Sequence, residues 1–360
     1  MTTTIQPAPP TRLALLDPPR SRLRPVVWFA AAGFAYLAVA GFGWTRWLIS
    51  GNLTSTPNGP SEIPGYAAFA VRAWEVLSLL IAGMTVYHWG IKPWKRAGHI
   101  TTDGILIVAY ATLFFLDPTV NYSQFSFAYN THLLNFGSWL NWVPGSLVPH
   151  SGAFPEPVLL IGAMYTWGFL LPSILGCVVL RKARQRWPQL SYVGLFAILF
   201  MTFMAVDFVI EIGLFVLPQI WAYPASIRSV TLFAGTQFQF PLYEPPLMAF
   251  VFCGVTALRW FVDDRGRTVA ERGIDEVRVS AGAKVTLRLL ATVGCTGMIV
   301  AATYLLPWQW FATHADSFPE KMPSYLLDGL CGVGTTYPCP GPGVPIFRPD
   351  SPPTGPYPIR

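Results

Sequence analysis

Residues 195–217, LFAILFMTFMAVDFVIEIGLFVL, carry only two charged side chains, and runs of this kind recur along the chain. A helix needs about 20 mostly apolar residues to cross the hydrocarbon of a bilayer. Only helices or closed barrels satisfy every backbone group there, and runs this long and this apolar are helical. Seven spans are expected, at 26–49, 66–91, 101–120, 157–180, 190–217, 245–262 and 286–306. Charged residues make up 12% of the chain and mean hydropathy is +0.43, which excludes an ordinary soluble globule. The expected fold is all-α, a polytopic transmembrane helical bundle.

Basic residues set its expected orientation. Of the 24 Lys and Arg residues, 18 fall at one end of a seven-span bundle, in four groups around Arg12–Arg24, Lys92–Arg96, Arg181–Arg186 and Arg259–Arg288. The positive-inside rule then gives a cytoplasmic N-terminus and an extracytoplasmic C-terminus. This asymmetry accounts for the net charge of +6 without a nucleic-acid partner. The expectation is a multi-pass plasma-membrane protein, with the lipid bilayer as its first partner. Residues 1–25 are Pro-rich and polar, without the continuous apolar stretch and small-residue cleavage site of a signal peptide. They are expected to form a disordered cytoplasmic segment ahead of a transmembrane domain over 26–306. Residues 307–360 read as a Pro- and Gly-rich extracytoplasmic tail, irregular in structure. Cys331 and Cys339 lie where a disulfide is permitted, while Cys177, Cys253 and Cys295 fall in spans as small buried hydrophobes.

Against this apolar background the carboxylates stand out. Asp207 and Glu211 sit in mid-span, Asp117 closes ILIVAYATLFFLDP, and Glu156 and Glu244 each precede a proline that opens the next apolar run. A carboxylate at membrane depth costs at least about 2.5–3.5 kcal/mol, so it faces protein, a partner or a wet cavity. Asp207 and Glu211, at i and i+4, share a helix face about 6 Å apart. Two acids that close in a low dielectric split their protonation states, which suits paired acid and base work. The plainer alternative is a structural pair bonded to other spans. Arg72 and Glu75, three apart, read as a structural ion pair.

A weak internal echo connects these acids. Asp117 to Asp207 is 90 residues and Glu156 to Glu244 is 88, so two outward-and-return units would form a parallel repeat. Glu at a helix start followed by Pro is also what ordinary capping looks like. Between Asp117 and Glu156 runs NYSQFSFAYNTHLLNFGSWLNWVPGSLVPHSGAF, rich in aromatic residues and free of Lys, Arg, Asp and Glu. It suits either the membrane interface or a lid over an apolar cavity. In the lid reading Asn121, Tyr122, Asn130, Asn135 and Asn141 supply hydrogen bonds. The candidate substrate contacts are Asn121, Tyr122, Asn135, Trp139, Trp142 and Tyr243.

No nucleotide-binding loop, GxSxG elbow, HExxH pair or zinc-type Cys/His spacing occurs, so neither a cofactor nor a metal is expected. The motifs FLDPTVNY, LNFGSWLNWVPG, FPEPVLL, DFVIEI and QFPLYEPPLMA together resemble the AveC-type spirocyclase family of actinobacteria, over about residues 25–330. That resemblance implies a membrane enzyme of polyketide secondary metabolism. It would close a ketone and two hydroxyls into a spiroketal, in some cases with dehydration. Read from the residues, the candidate catalytic groups are Asp207, Glu211, Glu156, Glu244 and Asp117. They would act as a cofactor-independent cyclase or dehydratase on a lipophilic polyketide or lipid-like hydroxyketone. The alternative is a non-catalytic transporter, or a subunit that holds partners for lipid metabolism. Convergence of the acids on one cavity separates the two.

Overall fold

The computed structural model describes residues 24–51, 53–316, 318–332, 335–341, 344, 346–348 and 350–351. The expected disordered segment 1–25 falls almost wholly outside them. Among the described residues six helices are long and apolar enough to cross a membrane: α1 (Pro25–Ile49), α2 (Gly65–Ala97), α3 (Thr102–Asn121), α4 (Val158–Arg186), α5 (Tyr192–Val216) and α7 (Ala281–Thr313). Between the last two lies α6 (Glu244–Trp260), a 17-residue helix at the expected sixth span. At about 1.5 Å per residue it sits at the short limit of a spanning helix. The result is the multi-pass helical bundle expected.

Helix starts at the basic end are capped in ordinary fashion. The side chains of Thr101, Ser191 and Ser280 accept from Gly104, Gly194 and Ala283 N–H at the heads of α3, α5 and α7. Gly98 closes α2 at φ +71°, a conformation open to glycine. Ion pairs join the segments at this end, Arg259 to Asp103 at 3.0 Å and Arg288 to Glu271 at 2.6 Å. The basic groups around Lys92, Arg181 and Arg259 therefore gather at one end of the bundle.

Several helices are locally widened. Turns of α2 (Val86–Ile91) and α7 (Ala301–Leu305) take the five-residue π hydrogen-bond pattern just ahead of Pro93 and Pro307. A proline ring excludes the carbonyl four residues back, and a wide turn accommodates that displacement. In α5 the π turn starts at Glu211 itself and runs to Val216. α1 and α7 cross at backbone contact: a Cβ on Gly33 would lie 2.0 Å from Leu290 O, and one on Gly294 2.1 Å from Phe29 O. Only small residues let membrane helices approach so closely.

The two aromatic loops close the other end of the bundle. β1 (Ala128–Tyr129) of the first pairs antiparallel with β2 (Trp221–Ala222) of the second, Tyr129 opposite Trp221. A second short ladder joins β3 (Thr231–Leu232) to β4 (Phe240–Pro241). Phe125, Phe127, Tyr129 and Trp139 are buried, so the first loop is packed protein and not a segment lying loose on the surface. Residues 307–313, expected in an irregular tail, continue α7 as helix to Thr313, and the described residues beyond it pack onto these loops. Tyr325 donates to Gln219 Oε1 at 2.6 Å, and its carbonyl accepts from Thr131 N–H. Cys331 and Cys339 form a disulfide within a cluster that includes Phe125, Phe154 and Phe347.

Candidate functional site

Beneath the paired loops lies a cavity of about 540 Å³, walled by α2 to α7 and by residues of both loops. Its size falls in the range of small-molecule sites, about 300–1,000 Å³. The walls are mostly aliphatic and aromatic. Among the described residues that line it, the ionisable groups are Asp117, Asp207, Glu211 and Glu244 with Tyr129, Tyr165, Tyr223 and Tyr304. Four of the five expected acids therefore reach one chamber.

Asp117 is placed by the tight last turn of α3, where Pro118 follows it. Its two oxygens accept from Tyr165 at 2.8 Å and Tyr129 at 2.9 Å. Glu156 stands behind it, 2% exposed and outside the cavity lining, and shares a side-chain hydrogen bond with it. Burial, then the charge of Asp117, pushes the Glu156 carboxyl well above its ordinary range. Two carboxyl groups in such contact are satisfied when a proton lies between them.

A second carboxyl pair lies across the chamber. Asp207, at i to Glu211 on α5, hydrogen-bonds with Glu244 at the head of α6. Apart from these carboxyl contacts, Glu156 Oε2, Asp207 Oδ2 and Glu244 Oε2 are buried without a donor. Orphaned carboxylate oxygens are costly, and the shared proton of each pair relieves that cost. Glu211 is held separately, its Oε1 accepting from Trp221 Nε1 at 2.9 Å and from the Tyr223 hydroxyl. Burial pushes the Tyr129 and Tyr223 hydroxyls well above their ordinary range, so both remain donors to the acids.

Asp207 and Glu211, expected as the acid–base pair on one helix face, both line the chamber, but the carboxyl contact of Asp207 is with Glu244. The local i,i+4 rule brings the first two near, but the widened turn beginning at Glu211 and the packing of α6 against α5 decide the contact. Nor do the two re-entry glutamates act as caps: neither the Val158 nor the Glu244 helix start has a side-chain cap bond. The two pairs instead repeat each other, an aspartate in the loop-side half of one helix with the glutamate at the start of the next.

None of the six candidate substrate contacts lines the cavity. Asn121 holds its own loop through Ser126 N–H, Phe127 N–H and Phe127 O. Asn135 accepts from Thr56 N–H and donates to Thr131 and Leu133 carbonyls. Tyr122 donates to Pro144 O, Trp139 donates to Phe115 O, Trp142 lies under the Arg46 guanidinium, and Tyr243 stacks on Phe311. A buried loop must satisfy its own backbone, and Asn121, Tyr122, Asn135 and Trp139 serve that need, while Trp142 and Tyr243 make ring contacts. Asn130 and Asn141 do the same, bonding Gln219 O and Ser151. Arg72 pairs with Glu75 at 2.6 Å, and Glu75 also receives Leu134 N–H, tying the first loop to α2.

Sequence reasoning passed over the tyrosines. A signal was available, since a tyrosine follows the acid by twelve residues in both units, Asp117 to Tyr129 and Glu211 to Tyr223. Tyr165, Trp221 and Tyr304 carry no such mark. Among the described residues no group of three or more His, Cys, Asp or Glu is arranged to hold a metal ion. The family model described as "Spirocyclase AveC-like" matches residues 96–326, more than half of the chain. Comparison with curated proteins and with solved structures finds no match.

Proposed function

Because the chain belongs to the AveC-like spirocyclase family, we propose that it is a membrane-embedded, cofactor-independent cyclase of the spiroketal-forming type, acting on a lipophilic hydroxyketone. The observation that carries this reading is the convergence of Asp117, Asp207, Glu211 and Glu244 on one apolar chamber. A first substrate hydroxyl adds to the ketone carbon and gives a hemiketal with no net loss. A carboxylic acid then protonates the hemiketal hydroxyl, which leaves as water and produces an oxocarbenium ion. The second hydroxyl attacks that carbon while a carboxylate takes its proton. One water is released and the borrowed proton is returned.

Each carboxyl pair is suited to lend a proton on one oxygen and accept one on another. We assign Asp207 with Glu244 as the principal acid–base pair and Asp117, backed by Glu156, as the second. Glu211, fixed by Trp221 and Tyr223, would stabilise the cation. The apolar walls keep bulk water from intercepting it and fold the chain for closure. In the proposed orientation the loop end lies outside the cytoplasm. Lipophilic extracts of cells with and without the protein test the reading. The open hydroxyketone should build up in its absence, and a product one water lighter should appear in its presence. Identical extracts would remove the proposal.

A further inference from the structure

The chamber has an apolar side wall that is also part of the outer surface of the bundle. Val206, Ile210 and Leu214 line it, yet they are 36%, 40% and 45% exposed. Spaced at i, i+4 and i+8, they form one stripe along α5. Asp207 and Glu211, each one residue further on, are only 8% and 9% exposed and turn inward. α5 is therefore a doorpost with an aliphatic outer edge and an acidic inner one.

The facing post is α4. Its helix is interrupted at Gly168 and Phe169, between segments Ala163–Trp167 and Leu170–Arg186. Pro172 lacks the N–H that would bond the carbonyl of Gly168 four residues back, which explains a break there. Leu171, Pro172 and Leu175 line the chamber just below the break, and Leu175 is 43% exposed. Towards the basic end the same two helices pack together, through Leu180 and Ala183 against Leu195 and Leu199. At the height of the acids, residues of both helices instead line the chamber while Leu175, Val206, Ile210 and Leu214 stay exposed on the outside, so the wall between the two helices is open there.

We propose that this gap is a lateral portal through which an amphiphilic substrate enters from the bilayer, oxygenated end first. Its hydrocarbon remainder stays between α4 and α5. The polarity gradient fits one orientation, since Asp207 and Glu211 turn to the inner edge of α5 and the outer edges of the posts are aliphatic. A chamber of about 540 Å³ holds the reacting segment, and the open side places no limit on the length of the tail. This inference rests on the proposed function for the nature of the oxygenated end.

A long-chain ketone bearing two hydroxyls, with a photoactivatable diazirine on its terminal carbon, tests it, using the full chain in lipid nanodiscs. A plain alkane diazirine of equal length serves as the bilayer control. Labelling of 171–175 and 206–214 by the hydroxyketone should exceed that control about tenfold and be displaced by unlabelled hydroxyketone. Ile210→Trp should abolish the excess and Ile210→Ala should keep it, with unchanged melting temperatures. Saturable labelling confined to the 118–156 and 218–244 loops, or no saturable labelling of α4 and α5, overturns the portal. Conversion of the probe is scored separately. Portal labelling without product removes the cyclase and leaves the portal, and product with labelling only under the loops does the reverse.

Discussion

The carboxyl pairs make a prediction about how substitutions combine. In the proposed acid–base pair the Asp207 and Glu244 carboxyls are in contact, so a single proton would serve both. Asp207→Asn or Glu244→Gln keeps the shape and a hydrogen-bonding amide but removes that proton. General acid–base help is worth about 10²–10⁴-fold, and at about 1.36 kcal/mol per tenfold this is about 2.7–5.4 kcal/mol of barrier. Groups that act as a unit are not additive. The double variant should therefore lose about the same factor as either single one, a coupling of about 4 kcal/mol for a loss of about 10³-fold. Asp117 belongs to the other pair, hydrogen-bonded to Glu156 and to two tyrosines. Combined with Asp207→Asn, Asp117→Asn should therefore multiply its loss. Single-turnover conversion in nanodiscs measures all five proteins, with the melting temperature of each as a check on folding. Losses that multiply within the Asp207–Glu244 pair, and fail to multiply between the pairs, would refute the reasoning.

Two further outcomes concern stability. Asp328 is buried in the tail with neither oxygen partnered, and burial pushes its carboxyl well above the ordinary range. Below the unfolded value of about 3.9 it is protonated in both states and costs nothing; above it the unfolded state loses its proton first, and stability falls as pH rises towards the folded value. Asp328→Asn should accordingly melt above the wild type at pH 7 and converge on it as pH falls towards about 4, while a gap constant with pH would contradict the assignment. Gly294→Val should drive a methyl into the Phe29 carbonyl and cost about 1–3 kcal/mol, read as a lower melting temperature. Gly297→Val, where nothing lies within 4 Å, should cost far less; equal losses would deny the close crossing its role.

The spans and the acids were legible because both follow from local rules. An apolar run of 20 residues has one outcome in a bilayer, and a carboxylate inside it must be explained. The matched spacings of 90 and 88 residues even indicated which acids occupy equivalent places. Partnership was not legible. Spacing on one helix joined Asp207 to Glu211, whereas the hydrogen bond runs to Glu244 on another helix, set by the angle at which α6 returns. The loop asparagines misled for a related reason. A polar side chain in an aromatic loop looks available for a ligand, but burial of that loop engages each asparagine with the two loops themselves, Asn130 with Gln219 O and Asn141 with the Ser151 hydroxyl.

The echo acquires its meaning only in three dimensions. Each unit runs a helix towards the loop end with an acid in its second half, crosses the end of the bundle in an aromatic loop, and returns at a glutamate. The loops pair through Tyr129 and Trp221, so the two units close over one chamber. Each loop also supplies a tyrosine to an acid of its own unit, Tyr129 to Asp117 and Tyr223 to Glu211. A parallel repeat of this kind places proton-bearing groups on two sides of a bound molecule. In the proposed reaction the ketone carbon is attacked twice, by two hydroxyls, with loss of one water between. A single acid would have to serve both events from one position, whereas two pairs allow protonation and deprotonation at separate oxygens without moving the substrate. On that view the duplicated architecture is matched to a reaction with two ring closures at one carbon.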